Sequence, residues 1–301
     1  MSTRPIVILG PNGQVGWELR RSLAPLAPVV PLDRKAGGDL AHTAHLLSTL
    51  HALQPCAVVN AAAYTAVDKA ETDVDAARLI NATAVGGLAR YCAESGIPLV
   101  HYSTDYVFDG SGEQPWREDA PIAPLSVYGG TKAEGEALIR DSGAHHLILR
   151  TSWVYARRGG NFARTMLRLA QERDSLRVVA DQVGAPTSAA LVADVTAHAL
   201  RSLLAWPHEE SVKGTFHLAA AGTCSWHDYA VHVLSAARQM GAHLRCQPGQ
   251  VQAIDTTSYP TPAIRPMNSR LDTTRLQDTF GLRMPPWQDG VSRVVSEWLE
   301  T

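Results

Sequence analysis

Short apolar runs rich in β-branched residues alternate, along the first half of the chain, with segments whose apolar positions follow a helical period. The runs are bounded by turn-forming or small residues and are too short for buried helices, so we interpret them as buried strands. The predicted strands are residues 5–9, 28–32, 55–59, 97–103 and 147–150. Their alternation with helices predicts an α/β fold built on a doubly wound parallel sheet of the Rossmann type.

The chain changes character after about residue 155. An amphipathic helix is predicted at 162–173 and a strand at 176–180, and from about residue 215 the segments are shorter and richer in Pro and Trp. We expect residues 1–155 to form a dinucleotide-binding domain, to which strands and helices near 176–205 return. Residues 156–301 are expected to form mainly a smaller substrate-binding lobe that closes over the carboxyl edge of the sheet.

A glycine-rich turn joins the first predicted strand to the first helix. Gly10, Gly13 and Gly16 would permit a tight turn, a close approach of the backbone to a pyrophosphate, and close packing of the helix on the strand. The free amides at the start of the helix would then face the phosphates. The spacing differs from that of many dehydrogenases, but the order of strand, turn and helix favours dinucleotide binding over an ordinary turn.

The end of the second predicted strand leaves the choice of dinucleotide open. Asp33 lies where an acidic residue would meet the adenosine ribose of NAD. Arg34 and Lys35 follow directly and could hold the 2′-phosphate of NADP, although a solvated turn of mixed charge explains them equally well.

Candidate acid chemistry is concentrated at Tyr128 and Lys132. Residues four apart on a helix share a face, and a nearby ammonium would lower the pKa of a phenol from its usual value of about 10. Such a tyrosine could protonate a carbonyl oxygen. Two prolines precede Tyr128 and place it at a helix start, while Thr104 and Asp105 follow a predicted strand at the edge where open α/β sheets bind ligands.

Composition narrows the class of protein further. Of 301 residues, 27 are Lys or Arg and 29 are Asp or Glu, which gives a formal charge of −2 and no electrostatic case for nucleic acid. No apolar stretch approaches the roughly 20 residues of a membrane span, so we expect a cytoplasmic protein. The scattered cysteines predict neither a disulfide framework nor a thiolate metal site; they are Cys56, Cys92, Cys224 and Cys246.

Several ordered motifs resemble those of the dTDP-4-dehydrorhamnose reductases, a family of extended short-chain dehydrogenases/reductases. The resemblance covers nearly the whole chain. The matching segments are residues 13–19, 59–71, 101–108, 128–132, 150–155, 181–187 and 265–271.

The resemblance implies a reaction and a set of site residues. The C4 ketone of dTDP-4-dehydro-L-rhamnose would be reduced to dTDP-L-rhamnose with NADPH, or NADH as an alternative. Tyr128 would protonate the oxygen, Lys132 would hold the cofactor ribose and lower the phenol's pKa, and Thr104 would bond the same oxygen. The cofactor residues would be Gly10, Gly13, Gln14, Val15, Gly16, Asp33, Asp39, Leu40, Ala63, Tyr64, Thr65, Tyr128 and Lys132. The nucleotide sugar would meet Thr104, Asp105, Trp153 and Arg265.

Some of these assignments have alternatives. Trp153 could be a core aromatic, Asp105 could fix its loop through backbone amides, and Thr104 could cap a strand end. Arg265 suits a diphosphate but also a structural ion pair.

The assembly of the chain also stays open between a monomer and a homodimer. Some members of the family form a dimer bridged by magnesium through surface carboxylates. Glu18 persists here, but Ala190 stands where a further acid is expected, which argues against that metal site. No other cluster in the sequence suggests a catalytic metal.

Two other functions fit parts of the sequence. One is a non-catalytic regulatory subunit similar to that of methionine adenosyltransferase, which would not need the intact Thr104, Tyr128 and Lys132. The other is an epimerase or dehydratase acting on a different nucleotide sugar, and a dehydratase would usually want an acid pair after the threonine. The sequence leaves open the preferred dinucleotide and which rhamnose-containing glycan is the end product.

Overall fold

The computed structural model describes residues 4–300. Its strands are β1 (Ile6–Leu9), β2 (Val29–Leu32), β3 (Ala57–Asn60), β4 (Leu99–Thr104), β5 (His146–Thr151), β6 (Val154–Tyr155), β7 (Leu176–Val179), β8 (Val183–Gly184), β9 (Thr187–Ser188), β10 (Gly214–His217), β11 (Cys224–Ser225) and β12 (Val251–Ile254). Its α-helices are α1 (Gln14–Ser22), α2 (Thr43–Leu53), α3 (Val67–Ala70), α4 (Val74–Arg78), α5 (Ala84–Glu94), α6 (Val127–Asp141), α7 (Phe162–Glu172), α8 (Ala189–Ala205), α9 (Trp226–Gln239), α10 (Thr274–Phe280) and α11 (Trp287–Leu299).

Six parallel strands form the central sheet in the order β10-β5-β4-β3-β1-β2. This arrangement confirms the predicted doubly wound α/β fold. The strand order reverses between β1 and β3, because β2 lies on one side of β1 whereas β3, β4 and β5 continue on the other side. Pro31 is tolerated in β2 because that strand lies at the sheet edge, where a missing amide breaks no ladder on the outer side.

Alternate side chains of each strand supply two apolar layers, one on each face of the sheet. On β1, Ile6 and Ile8 face the layer that contains α1, α8 and α10, whereas Val7 and Leu9 face the layer that contains α2, α5 and α6. All four side chains are fully buried. Burial of a large apolar side chain contributes about 1.5 to 3 kcal/mol, so these layers fix where the strands end and thus where the site lies.

A third apolar cluster forms the smaller lobe, built from α7, α9 and α11. The parallel pair of β7 and β12 also belongs to this lobe. The segment predicted to return to the first domain is therefore divided: α8 packs on α1 of the sheet, whereas β7 stays in the lobe. The strand at 28–32 and the helix at 162–173 occur with shifts of one residue at an end.

Helix α6 is held tightly against the end of β4. The Ser126 side chain caps it by accepting from the Gly129 amide at 3.2 Å, and the Glu71 carboxylate accepts from the Val127 amide at 2.9 Å. A Cβ on Gly129 would lie 2.2 Å from the Tyr106 carbonyl oxygen, so only glycine permits this approach. A short π-helical segment, Leu79–Thr83, lies against the same helix. Within residues 4–300, the helices are too short or too polar to cross a membrane.

Candidate active site

A cavity of about 910 Å³ opens at the carboxyl edge of the sheet, between the sheet and the smaller lobe. Its size suits a small-molecule or cofactor site. At one end lies the glycine turn, where Gly10 has a φ of 72° and a Cβ would come within 2.7 Å of the Ala62 amide. The backbone and the start of α1 thus form a cradle that a side chain would fill, and this cradle fits a pyrophosphate.

The predicted adenosine end carries two carboxylates that already accept backbone hydrogen bonds. One Asp33 oxygen accepts from the amides of Lys35 and Ala36 at 2.9 Å, and the other from the Asn12 side chain at 3.3 Å. Asp39 caps the turn before α2, where burial would raise its pKa but the Ala41 amide and His42 lower it overall. Exposed Arg34 and Lys35 border the same end of the cavity.

Tyr128 lies on the cavity wall at the first turn of α6. Burial, followed by the charge of Asp105, raises the pKa of Tyr128 to about 12, although a hydrogen bond with Thr104 offsets part of the rise. The predicted lowering of this pKa by Lys132 is wrong for the described structure, because the lysine points elsewhere. The phenol therefore keeps its proton at neutral pH and is available as an acid.

Lys132 lies one turn further along α6 and is almost completely buried. Its Nζ donates to the Tyr102 carbonyl oxygen and lies 3.0 Å from Nε2 of His101. Burial lowers the pKa of Lys132 to about 8, and the nearby Glu136 carboxylate offsets only part of this effect. Lys132 borders the cavity, whereas His101 lies behind it.

Thr104 and Asp105 end β4 and face the same cavity. The Thr104 hydroxyl donates to an Asp105 carboxylate oxygen at 3.1 Å and accepts from the Tyr106 amide at 3.2 Å, so it also acts as the predicted cap. Burial raises the pKa of Asp105 to about 6, against hydrogen bonds from Ser269 and Thr104. A carboxyl, a hydroxyl and a phenol therefore converge on one part of the wall.

The opposite wall is aromatic and comes from both parts of the chain. Trp153 stacks on Trp226 with ring centroids 3.6 Å apart. Trp153 has a φ of 49°, an uncommon value outside glycine. This backbone conformation directs its ring against Gly184, where a Cβ would come within 2.8 Å of the indole. Trp153 is thus a wall residue as well as a packed aromatic.

Three of the predicted residues lie outside the cavity wall. Gly16 acts in packing, since its Cβ would meet the Gly10 carbonyl oxygen at 2.1 Å. Tyr64 points away because its hydroxyl donates to Asp73 at 3.0 Å. Arg265 is paired with Asp68 at 2.8 Å, in the ion pair that the sequence left open. The other predicted residues line the cavity: Gly10, Gly13, Gln14, Val15, Asp33, Asp39, Leu40, Ala63, Thr65, Thr104, Asp105, Tyr128, Lys132 and Trp153.

Sequence reasoning missed several wall residues. Trp226 is far along the chain from Trp153 and reaches the cavity only through the fold of the lobe. The hydroxyls of Thr151 and Ser152 are buried at the wall with no hydrogen-bond partner among the described residues. Their place after the strand at 147–150 was the available signal, and unpartnered hydroxyls there suit a polar ligand.

Within residues 4–300, no three His, Cys, Asp or Glu side chains approach closely enough to hold a metal ion. Glu18 lies 3.7 Å from Arg21 in an ion pair, and Ala190 lies in the first turn of α8.

Comparison with known proteins agrees with this geometry. The model of the RmlD substrate binding domain matches residues 3–299. The dTDP-4-dehydrorhamnose reductase of Salmonella typhimurium is 50% identical over 299 residues, which are 98% of each chain. The enzyme of that name from Burkholderia thailandensis is 44% identical, over 98% of this chain and 99% of its own.

A solved structure shows the same architecture with a dinucleotide bound. The dTDP-4-dehydrorhamnose reductase from Bacillus anthracis, crystallised in complex with NADP, is 32% identical with a TM-score of 0.87, over 98% of this chain and 100% of its own. The matched region spans both the sheet and the smaller lobe. The chain therefore belongs to the RmlD family of dTDP-4-dehydrorhamnose reductases.

Proposed function

We propose that this chain reduces the C4 ketone of dTDP-4-dehydro-L-rhamnose to dTDP-L-rhamnose, with NADPH as reductant and NADH as an alternative. The observation that carries the proposal is the placement of Tyr128. Its protonated phenol and the Thr104 hydroxyl face one cavity whose far end is the glycine cradle. A ketone held between them would meet a proton donor on one side and the dinucleotide on the other.

Tyr128 acts as the general acid in this proposal. The ketone oxygen gains negative charge as hydride arrives, and the phenol then donates its proton to that oxygen. When bound, the reduced nicotinamide supplies the hydride that forms the new C–H bond at C4. Since burial keeps the phenol protonated well above neutral pH, Tyr128 already carries the proton that it donates.

Thr104 orients the same oxygen. Its hydroxyl is held by Asp105 and by the Tyr106 amide, so its position is fixed before substrate binds. To donate to the ketone, the hydroxyl hydrogen must turn from Asp105 to the substrate oxygen, while the oxygen atom of Thr104 keeps its place. A donor atom that is already positioned lowers the reorganisation that the transition state requires. Lys132 lies on the same helical face as Tyr128 and would hold the cofactor ribose.

The preference for NADPH is proposed from the hydrogen bonds of Asp33 and from the cations beside it at the adenosine end of the cavity. Asp33 already accepts two amide hydrogen bonds and one from Asn12. The exposed cations Arg34 and Lys35 remain available to a 2′-phosphate, which supports NADPH. The proposal also includes a cytoplasmic location, because the reaction consumes reduced dinucleotide, and a monomer or homodimer as the working assembly.

The test is a direct assay of the purified chain. We expect dTDP-4-dehydro-L-rhamnose to cause oxidation first of NADPH and then, in a separate reaction, of NADH, followed as loss of reduced-nicotinamide absorbance. The product should carry two more hydrogen atoms than the substrate by mass spectrometry. No oxidation of either dinucleotide, with tight binding of both, would contradict the proposal and favour a non-catalytic role.

A further inference from the structure

His101 lies directly behind Lys132, away from the cavity. Its Nε2 is 3.0 Å from Nζ of Lys132, and its Nδ1 is 3.1 Å from the side-chain nitrogen of Asn60. Asn60 and His101 are register partners on the adjacent strands β3 and β4, and both side chains are buried. The three groups therefore form a chain that water does not interrupt.

The orientation of the Asn60 amide is fixed by the backbone. Its oxygen accepts from the Ala62 amide at 3.1 Å. Reversing the amide would place its nitrogen, a donor, against that amide hydrogen. The Asn60 nitrogen therefore faces His101 and donates, so Nδ1 of the imidazole must accept.

The tautomer of His101 follows from this orientation. A neutral imidazole carries one proton, and if Nδ1 accepts, the proton lies on Nε2. The Nε2 hydrogen then points at Nζ of Lys132. An ammonium has no lone pair to receive it, whereas a neutral amine does, and either form can donate to the Tyr102 carbonyl oxygen.

We propose that Asn60 and His101 are positioning residues that favour the amine form of Lys132 through the Nε2–H tautomer of His101. The role in turnover rests on the proposed reductase function, whereas the tautomer and the lysine protonation are properties of the chain itself. When Lys132 is protonated, the Nε2 hydrogen of His101 faces the hydrogens of a buried ammonium, so two donors meet without an acceptor.

The electrostatic surroundings support the same direction. Burial, and then the charge of Lys132, holds the pKa of His101 well below its ordinary value, so the imidazole stays neutral. Among the charged groups of the described residues, the Glu136 carboxylate acts on Lys132 and favours its ammonium form. This carboxylate is itself bound by the buried Arg150 on β5, which reduces its pull on the lysine. Asp105 and Tyr128 border the same cavity as Lys132.

The protonation state of Lys132 matters for turnover because this residue borders the cavity and would hold the cofactor ribose in the proposed function. His101 takes no proton itself, but it sets how readily the ammonium of Lys132 loses its proton.

Nitrogen NMR of the ligand-free protein, with labelled histidine, tests the tautomer directly. Because the chemical shift separates protonated from unprotonated ring nitrogens, His101 should show a protonated Nε2 and a bare Nδ1. The signals are assigned as those lost in His101→Gln. In Asn60→Asp, a carboxylate that accepts from Nδ1 should reverse the pattern. A protonated Nδ1 in the unsubstituted chain would overturn the proposal.

Carbon NMR of the lysine Cε atoms tests the consequence. The lysines are Lys35, Lys69, Lys132 and Lys213, and Lys132 is identified by its loss in Lys132→Met. We expect its pKa to rise by about one unit in both His101→Gln and Asn60→Asp, which corresponds to a tenfold change in its ionisation equilibrium. Unchanged titration of Lys132 in both variants would overturn the proposal.

His217→Gln is the matched control for loss of a buried histidine. His217 is also fully buried and neutral, but its Nε2 lies 3.4 Å from Nη1 of Arg150 instead of facing Lys132. The variant His217→Gln should leave the pKa of Lys132 unchanged. With substrate present, the pH profile of kcat should move with the Lys132 pKa in the two test variants. If no turnover occurs in any variant, the two NMR titrations still decide the proposal, while the proposed function fails separately.

Discussion

Two buried cations near the end of the sheet have opposite environments. Arg150 on β5 forks onto both carboxylate oxygens of Glu136, at 2.9 and 2.7 Å. Among residues 4–300, the hydrogen-bond partners of Lys132 on α6 are neutral: the imidazole of His101 and the Tyr102 carbonyl oxygen. Both cations are about 2% exposed, so burial does not distinguish them.

The difference shows that an ion-pair partner keeps a buried cation charged and structural, whereas its absence leaves the side chain able to change its protonation state. Glu136 is four residues after Lys132 on one helix and could pair with it, but Arg150 occupies both of its oxygens and Arg140 adds a third bond. Although burial alone would raise the pKa of Glu136, its bonds to Arg150 lower it. A guanidinium stays charged and needs an anion, whereas an amine without one can lose its proton.

Replacing the paired cation should have the largest effect on stability. Arg150→Met leaves Glu136 buried without its main partner, and removal of one member of a buried pair typically costs about 3 to 5 kcal/mol. Urea unfolding at neutral pH measures the loss. The double variant Arg150→Met with Glu136→Leu should recover most of it, and equal losses in the single and double variants would contradict the role of the pair.

Replacing Lys132 with Met should change how the stability of the chain depends on pH. The pKa of Lys132 is lowered from about 10.5 to about 8 in the folded chain, so the unfolded chain binds more protons between these values. The free energy of unfolding of the original chain, relative to that of Lys132→Met, should therefore increase by up to about 3 kcal/mol as pH rises above 8. Below pH 8 this difference should stay constant. A constant difference from pH 7 to 11 would show that Lys132 is not shifted.

Asp105 should make the stability of the chain depend on pH in the opposite direction, and at lower pH. Burial raises its pKa to about 6, so the folded chain binds more protons than the unfolded chain from about pH 4 to 6. The original chain should lose about 2 to 3 kcal/mol relative to Asp105→Asn as pH rises through this window. Thermal or urea unfolding at pH 4 and pH 7 measures the difference. A difference that does not change with pH would remove the assigned shift.

The smallest effect is expected at the solvent side of the ion pair. Arg140 also binds Glu136, at 3.0 Å, but its side chain is 41% exposed. Arg140→Ala should therefore cost less than about 1 kcal/mol. A loss as large as that of Arg150→Met would show that the outer arginine, and not the inner one, neutralises Glu136.

The parts of the fold that follow from local sequence were predictable. Gly10 and the strand before it form a turn for reasons contained in neighbouring residues, and the prolines before Tyr128 set the start of α6. The parallel direction of the central strands followed from the alternation of strands and helices. Strand β7 was different, because a short strand carries no signal of which lobe it will pair in.

The partners of the catalytic residues could not be predicted in the same way. The contact of His101 with Asn60 depends on the register between β3 and β4, and Trp226 meets Trp153 only after the lobe has folded. Spacing placed Lys132 on the face of Tyr128 but could not show that its Nζ turns to His101. The assumed effect of the lysine on the phenol therefore failed, although the residues themselves lie at one cavity.

The most direct test of the reductase mechanism is the turnover of Tyr128→Phe beside that of Tyr91→Phe. Tyr91 is a buried tyrosine outside the cavity wall whose hydroxyl donates to the Leu50 carbonyl oxygen, so it controls for loss of a phenolic hydroxyl. We predict that Tyr128→Phe binds NADPH normally but loses kcat by about 100-fold to 10,000-fold, while Tyr91→Phe keeps its kcat. Near-normal turnover in Tyr128→Phe would contradict the assignment of this phenol as the acid.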